Sequence, residues 1–105
     1  MSIAQAAFRA LADPTRRDIL QILMSQDMTI AEVSAAFPMT RAAVKKHLSI
    51  LEAGNLITVE PRGRERINRL NREGLNPVMD WISTLDAAWD DRLNALKSAI
   101  EGQTQ

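Results

Sequence analysis

The sequence contains no cysteine. Disulfides, thiolate metal ligands, cysteine nucleophiles and thiol redox sensing are therefore excluded, and the chain suits a reducing compartment. No run approaches the ~18 apolar residues that a membrane span requires. The first residues, MSIAQAAFRALADP, show neither a basic leader nor a long apolar segment. A soluble, cytoplasmic protein without a membrane partner is expected. Histidine occurs once, at His47, and there is no G-x-S-x-G, no phosphate-binding glycine loop and no Cys–His pair. An enzyme is not expected, and no residue is assigned a catalytic role. Net charge is missing too, because 13 Lys and Arg balance 13 Asp and Glu.

That balance conceals an asymmetry. Between positions 41 and 72 lie eight basic residues, Arg41, Lys45, Lys46, Arg62, Arg64, Arg66, Arg69 and Arg72. Only three acids, Glu52, Glu60 and Glu65, oppose them, leaving +5 there and −5 in the rest of the chain. Screening over ~8 Å at physiological salt keeps the distant acids from cancelling this field.

The length of 105 residues suits one domain, 1–105, with a modest core. Residues 3–12 are alanine-rich, with Ile3, Ala7, Phe8 and Leu11 at helical spacing. Asp13 and Pro14 mark the start of a second helix, as N-cap and first helical residue. Thr29 and Glu32 have capping-box spacing for a third. Pro38 ends that helix, and Thr40 caps a fourth, whose inward stripe is Val44, Leu48 and Leu51. Gly54 is expected to supply the left-handed turn that closes it. LITVE and ERINRL read as two strands joined at PRGR. Asn71 or Asn76 is expected to cap a last helix near Pro77, with an apolar stripe from Val78 through Trp81, Ile82, Leu85, Trp89, Leu93 and Leu96 to Ile100. The fold class is mainly α with a small β-hairpin, in the order of four helices, two strands and a fifth helix.

Two short helices joined by a turn, the second basic and capped, form a helix-turn-helix at about 29–53. The second helix of such a pair enters the DNA major groove, which is ~12 Å wide. Opposite its apolar stripe lie Arg41, Ala42, Lys45, Lys46 and Ser49. The small residues Ala42 and Ala43 let the helix start approach base edges. Arg41 and Lys45 suit guanine acceptors, whereas Lys46 and the Thr40 hydroxyl suit phosphates. Thr29, at the head of the first helix of the pair, joins the DNA-facing set. His47 either packs at the base of the helix or donates to a phosphate. The hairpin, a wing at about 56–70, adds Arg62, Arg64 and Arg66 around its turn.

The segments FRALADPTRRDILQIL, MTRAAVKKHLSILEAGNLI, GRERINRLN and DWISTLDAAWDDRLNAL, in that order, resemble the ArsR-type family of winged helix-turn-helix repressors. The resemblance spans roughly residues 4–100. It implies a homodimer that represses transcription at an inverted-repeat operator in double-stranded DNA. It also implies dimerisation through helices 3–12 and 77–101, giving an interface of Ile3, Ala7, Phe8, Leu11, Trp81, Leu85, Trp89, Leu93 and Leu96. The stripe agrees, since two tryptophans on one long helix exceed what so short a chain covers alone.

The chain departs from the metal-sensing members of that family. The third helix has no cysteine and the last has no histidine, and one histidine is a poor zinc site. No metal and no cofactor are expected. Whether repression is relieved by a small organic effector, by a protein partner or by nothing stays open at this stage. The competing reading is a winged-helix module that docks protein, which would need an apolar rather than a basic second helix.

Overall fold

A computed structural model describes residues 2–103; positions 1, 104 and 105 of the expected 1–105 unit lie outside the described residues. The elements are α1 (Ile3–Leu11), α2 (Pro14–Leu23), β1 (Met28–Thr29), α3 (Ile30–Ala36), α4 (Arg41–Ala53), β2 (Ile57–Arg62), β3 (Glu65–Leu70), a 3-10 turn (Arg72–Leu75) and α5 (Asn76–Gln103). The caps read from the sequence do their work. Asp13 accepts from the Arg16 N–H at 3.0 Å and Thr40 from the Ala43 N–H at 3.1 Å. Thr29 and Glu32 exchange both bonds of a capping box. A second box, from Ser2 and Gln5, opens α1.

The core lies where α1–α4 and the sheet converge, around Ile19, Leu23, Val33, Val44, Leu48, Leu51, Leu56 and Ile57. The apolar stripe of α4 is the same one its spacing indicates, and Val44 and Leu51 have no exposed surface. Ala7 and Ala10 are also fully buried, so α1 lies close against the body of the domain.

The sheet has three strands, not the expected two, in the antiparallel order β1-β3-β2. A two-residue strand has no periodicity to read. Its presence beside β3 explains the imperfect alternation of ERINRL. Asn68 occupies a buried position, 1% exposed, and its Nδ2 donates to the Met28 carbonyl at 3.1 Å. A polar side chain there is satisfied only because β1 lies alongside.

The hairpin turn is also shorter than the expected PRGR. Pro61 and Arg62 belong to β2, an edge strand, where a sheet tolerates proline. The turn is Gly63–Arg64, with Gly63 at φ +62° and no positive φ at Arg64, as a type II′ hairpin requires.

The end of α4 corrects another expectation. Gly54 has an ordinary φ of −80°, and the left-handed residue is Asn55, at φ 62°. The Leu56 N–H bonds the Leu51 carbonyl and the Asn55 N–H bonds the Glu52 carbonyl, the paired bonds of a Schellman motif. Glycine is needed at 54 for space instead. A Cβ there would sit 2.8 Å from the Ala6 carbonyl oxygen and 3.2 Å from the Ala10 Cβ. Gly54→Ala should push α1 off α4 and lower stability by about 1–3 kcal/mol without changing the α4 surface. Chemical denaturation checks this, and an unchanged midpoint would contradict the contact.

Asn71 does not cap α5 either. It precedes the 3-10 turn without a side-chain cap bond, and its Nδ2 donates to the Asn55 carbonyl at 2.9 Å. The chain end of α4 is thereby tied to the root of α5. From there α5 packs on α1 and the 3-10 turn, and Phe8 meets Trp81 edge to face at 5.3 Å. Beyond that contact α5 projects, and the chain measures 74 × 25 × 25 Å. No helix among the described residues is long and apolar enough to cross a membrane.

Candidate nucleic-acid interface

The side of α4 opposite Val44, Leu48 and Leu51 is open. Arg41, Ala42, Lys45, Lys46 and Ser49 are all exposed on it. The bond from Ala43 to Thr40 and the bond from the Val44 N–H to the Thr40 carbonyl use two of the first-turn donors. The N–H groups of Arg41 and Ala42 remain at the helix start, oriented for an anion. Thr40 uses its oxygen as the cap acceptor, which leaves its proton to donate to a phosphate.

Between α4 and the β2–β3 hairpin runs an open groove of ≈ 670 Å³. Arg41, Lys45 and Ser49 line it from the helix, and Arg64 and Arg66 from the hairpin. Two sequence regions some twenty residues apart thus present their cations to one concavity. Among the described residues none of Arg41, Lys45, Lys46 or Arg64 pairs with an acid of its own chain. Arg62 is exposed at the end of β2, outside the groove lining. Arg69 differs from all of these. Its guanidinium bonds Asp27 at 2.8 Å and lies 3.4 Å from Glu60, and the Asp27 bond, then its charge, raises the Arg69 pKa. Counting Arg69 toward the positive field overstates it.

Three residues of the expected DNA-facing set are placed differently. Thr29 is only 8% exposed and its hydroxyl is held in the capping box, so it contributes a rim atom and little more. Ala43 is half-buried on the flank of α4. His47 is turned toward the start of α2, with Nδ1 3.4 Å from Arg16 Nη1 and 3.9 Å from Asp13 Oδ2. Asp13 is held below its ordinary pKa chiefly by the Arg16 backbone N–H; burial opposes this in part, and the nearby charges of Arg16 and His47 add smaller lowering effects. His47 thus faces α2 and lies outside the groove lining.

Glu52 and Glu65 also line the groove and were not among the expected residues. The signal for Glu52 is present in the sequence. It lies three residues after Ser49 and seven after Lys45, on the same outward face. An acid at that place marks where the anion-attracting part of the helix ends.

The expected dimer residues divide as well. Ala7 has no accessible surface in the single chain, so it has none to give a partner, and Leu11 packs half-buried on the core. Ile3, Trp81, Leu85, Trp89, Leu93 and Leu96 are exposed, joined by Met79, Ile82 and Ile100. Phe8 is half-buried under Trp81.

A family of helix-turn-helix domains matches residues 11–60. The HTH-type transcriptional regulator Rv2034 of Mycobacterium tuberculosis is 31% identical over 97 residues, covering 92% of this chain and 88% of that one. The transcriptional repressor SdpR of Bacillus subtilis is 32% identical over 75 residues, covering 71% and 83%. Among solved structures, an ArsR-like transcriptional regulator from Rhodococcus sp. RHA1 superposes with a TM-score of 0.79 at 33% identity, over 91% of each chain. Other relatives are named as arsenical resistance repressors. The donor set here does not fit a soft metal ion. The chain has no thiolate, its one imidazole faces Arg16, and no three His, Asp or Glu side chains converge among the described residues.

Proposed function

The chain belongs to the ArsR-type family of winged helix-turn-helix regulators, and from that premise we propose that it is a cytoplasmic, homodimeric repressor of transcription that reads an inverted-repeat operator without a metal co-effector. One observation carries the reading: the exposed cations of α4 and those of the β2–β3 hairpin line a single groove. A helix seated in the major groove then directs Arg41, Ala42 and Lys45 at base edges. The hairpin, with Arg64 at its turn, reaches the flanking backbone or the narrower groove. Lys46 and Thr40 lie nearer the phosphates. The same basic, exposed helix argues against docking of a protein at this face.

The second copy follows from α5. Its outward apolar residues are about half exposed, Trp89 57% and Leu96 57%, and no part of the described chain covers them. A two-fold mate presenting the same stripe, with Ile3 and Phe8 at its edge, buries it and sets two α4 helices on one face. Dimeric helix-turn-helix proteins place such helices about 34–36 Å apart, one turn of duplex.

The test is selection of duplexes from a random pool, followed by gel-shift titration of the winner and a scrambled control at two salt concentrations. The reading expects an inverted repeat to emerge and to bind ~10³-fold or more tightly than the control. It also expects affinity for both duplexes to fall steeply with salt. A pool that yields no sequence, or a preference that disappears at physiological salt, would overturn it.

A further inference from the structure

Arg16 joins three helices. Its Nε donates to the Ala10 carbonyl at 2.8 Å and its Nη2 to the Arg9 carbonyl at 3.0 Å, which satisfies the exposed end of α1. Its backbone N–H donates to Asp13 at the head of α2. The remaining arm, Nη1, reaches His47 Nδ1 on α4 at 3.4 Å. A guanidinium has no acceptor and does not lose its proton in this pH range. The last contact is therefore a hydrogen bond only when Nδ1 carries a lone pair, that is, when the imidazole is neutral with its proton on Nε2.

We infer that His47 does not contact DNA but is a positioning residue: by accepting from Arg16 it fixes α4 against α1 and α2, so that sequence-specific binding requires its neutral form. This rests on the repressor reading above. Protonation would place an Nδ1–H against the guanidinium, losing the bond and adding a like charge. Asp13 Oδ2, at 3.9 Å, attracts the cation but already accepts from Arg16. From α1, the Arg9 side chain lines the crevice against Ser49 and Ile50. The acids of α3 and β2 face elsewhere, Glu32 bonded to Thr29 and Glu60 beside Arg69. On α4 itself Lys46 precedes His47 and adds only positive charge. A protonated His47 also makes the DNA-facing side more positive, which strengthens binding to any duplex alike. The two effects have opposite signs for a specific site, and that separates this proposal from general electrostatics.

The experiment has two readouts. Because His47 is the only histidine in the chain, ring-nitrogen NMR of the free protein reports it without ambiguity. At pH 8 the Nε2–H tautomer should dominate, and an Nδ1–H or mixed population overturns the inference whether or not DNA binds. The second readout is the dissociation constant for the duplex selected by the wild-type protein and for a scrambled duplex, at pH 8 and pH 5.5. Wild-type preference for the selected duplex should fall about three- to tenfold on acidification. His47→Asn, whose Oδ1 accepts but does not titrate, should keep the preference at both pH values. His47→Phe, which fills the site without an acceptor, should lose it at both while still binding scrambled duplex. Circular dichroism confirms that each variant folds. A His47→Phe variant with full preference, or a wild-type preference that rises at pH 5.5, overturns the proposal. If the pool yields no preferred duplex, the repressor reading fails, and the tautomer still decides whether Arg16 holds His47.

Discussion

Replacing Arg41, Lys45, Lys46 and Arg64 together with alanine should abolish operator recognition while leaving a folded protein. Each base-contacting cation is worth ~1–3 kcal/mol of binding. The two base-facing changes, at Arg41 and Lys45, are each carried twice by a symmetric pair and already give about 4 kcal/mol at the low end, nearly a thousandfold at 1.4 kcal/mol per decade, and loss of the phosphate contacts of Lys46 and Arg64 adds to it. Folding should survive because all four side chains are exposed and none holds an ion pair within the described chain. The single variants should separate by role. Arg41→Ala and Lys45→Ala should relax the selected sequence. Arg64→Ala should weaken selected and scrambled duplexes equally and flatten the salt dependence. Gel shifts with denaturation controls measure all of this. Intact operator binding by the quadruple variant would show that the groove between α4 and the hairpin is not the DNA site.

The second large effect concerns α5. Trp89→Glu combined with Leu93→Glu puts two carboxylates on adjacent turns of the uncovered stripe. Burying one large apolar side chain is worth about 1.5–3 kcal/mol, and each position counts twice across a two-fold axis. The dimerisation constant should therefore weaken by at least ~10³, leaving a monomer at micromolar concentration in sedimentation equilibrium. Thermal stability of the monomer should change little, because both positions lie beyond the contact of α5 with α1. Operator affinity should fall with the dimer, since linked half-sites gain ~10²–10⁴ over separate ones. A double variant that stays dimeric would place the interface elsewhere. One that unfolds would mean that α5 folds back on its own domain.

These effects depend on parts of the molecule that were unequally legible in the sequence. The helices of the body were readable because each start carries its own chemistry: Asp13 before Pro14, Thr29 with Glu32, and Thr40. The stripe of α4 fixed which side faces outward, and hence which cations are exposed. Features made by tertiary contact left no such trace. Strand β1 exists because β3 lies beside it, and Asn68 is buried because β1 supplies a carbonyl. Gly54 is required by the closeness of α1, while Asn55 takes the left-handed turn that glycine was expected to make. His47 and Ala7 illustrate the same limit. Helical spacing says which residues share a face, but not that Arg16 would reach across to one or that α1 would sink the other into the core.

The most direct test of the account is the number of chains held by one duplex, together with the contribution of each half-site. Sedimentation of the protein on its selected inverted repeat should show two chains per duplex, and scrambling one half-site should weaken binding by ~10² or more. One chain per duplex, with equal affinity for a lone half-site, would contradict the account.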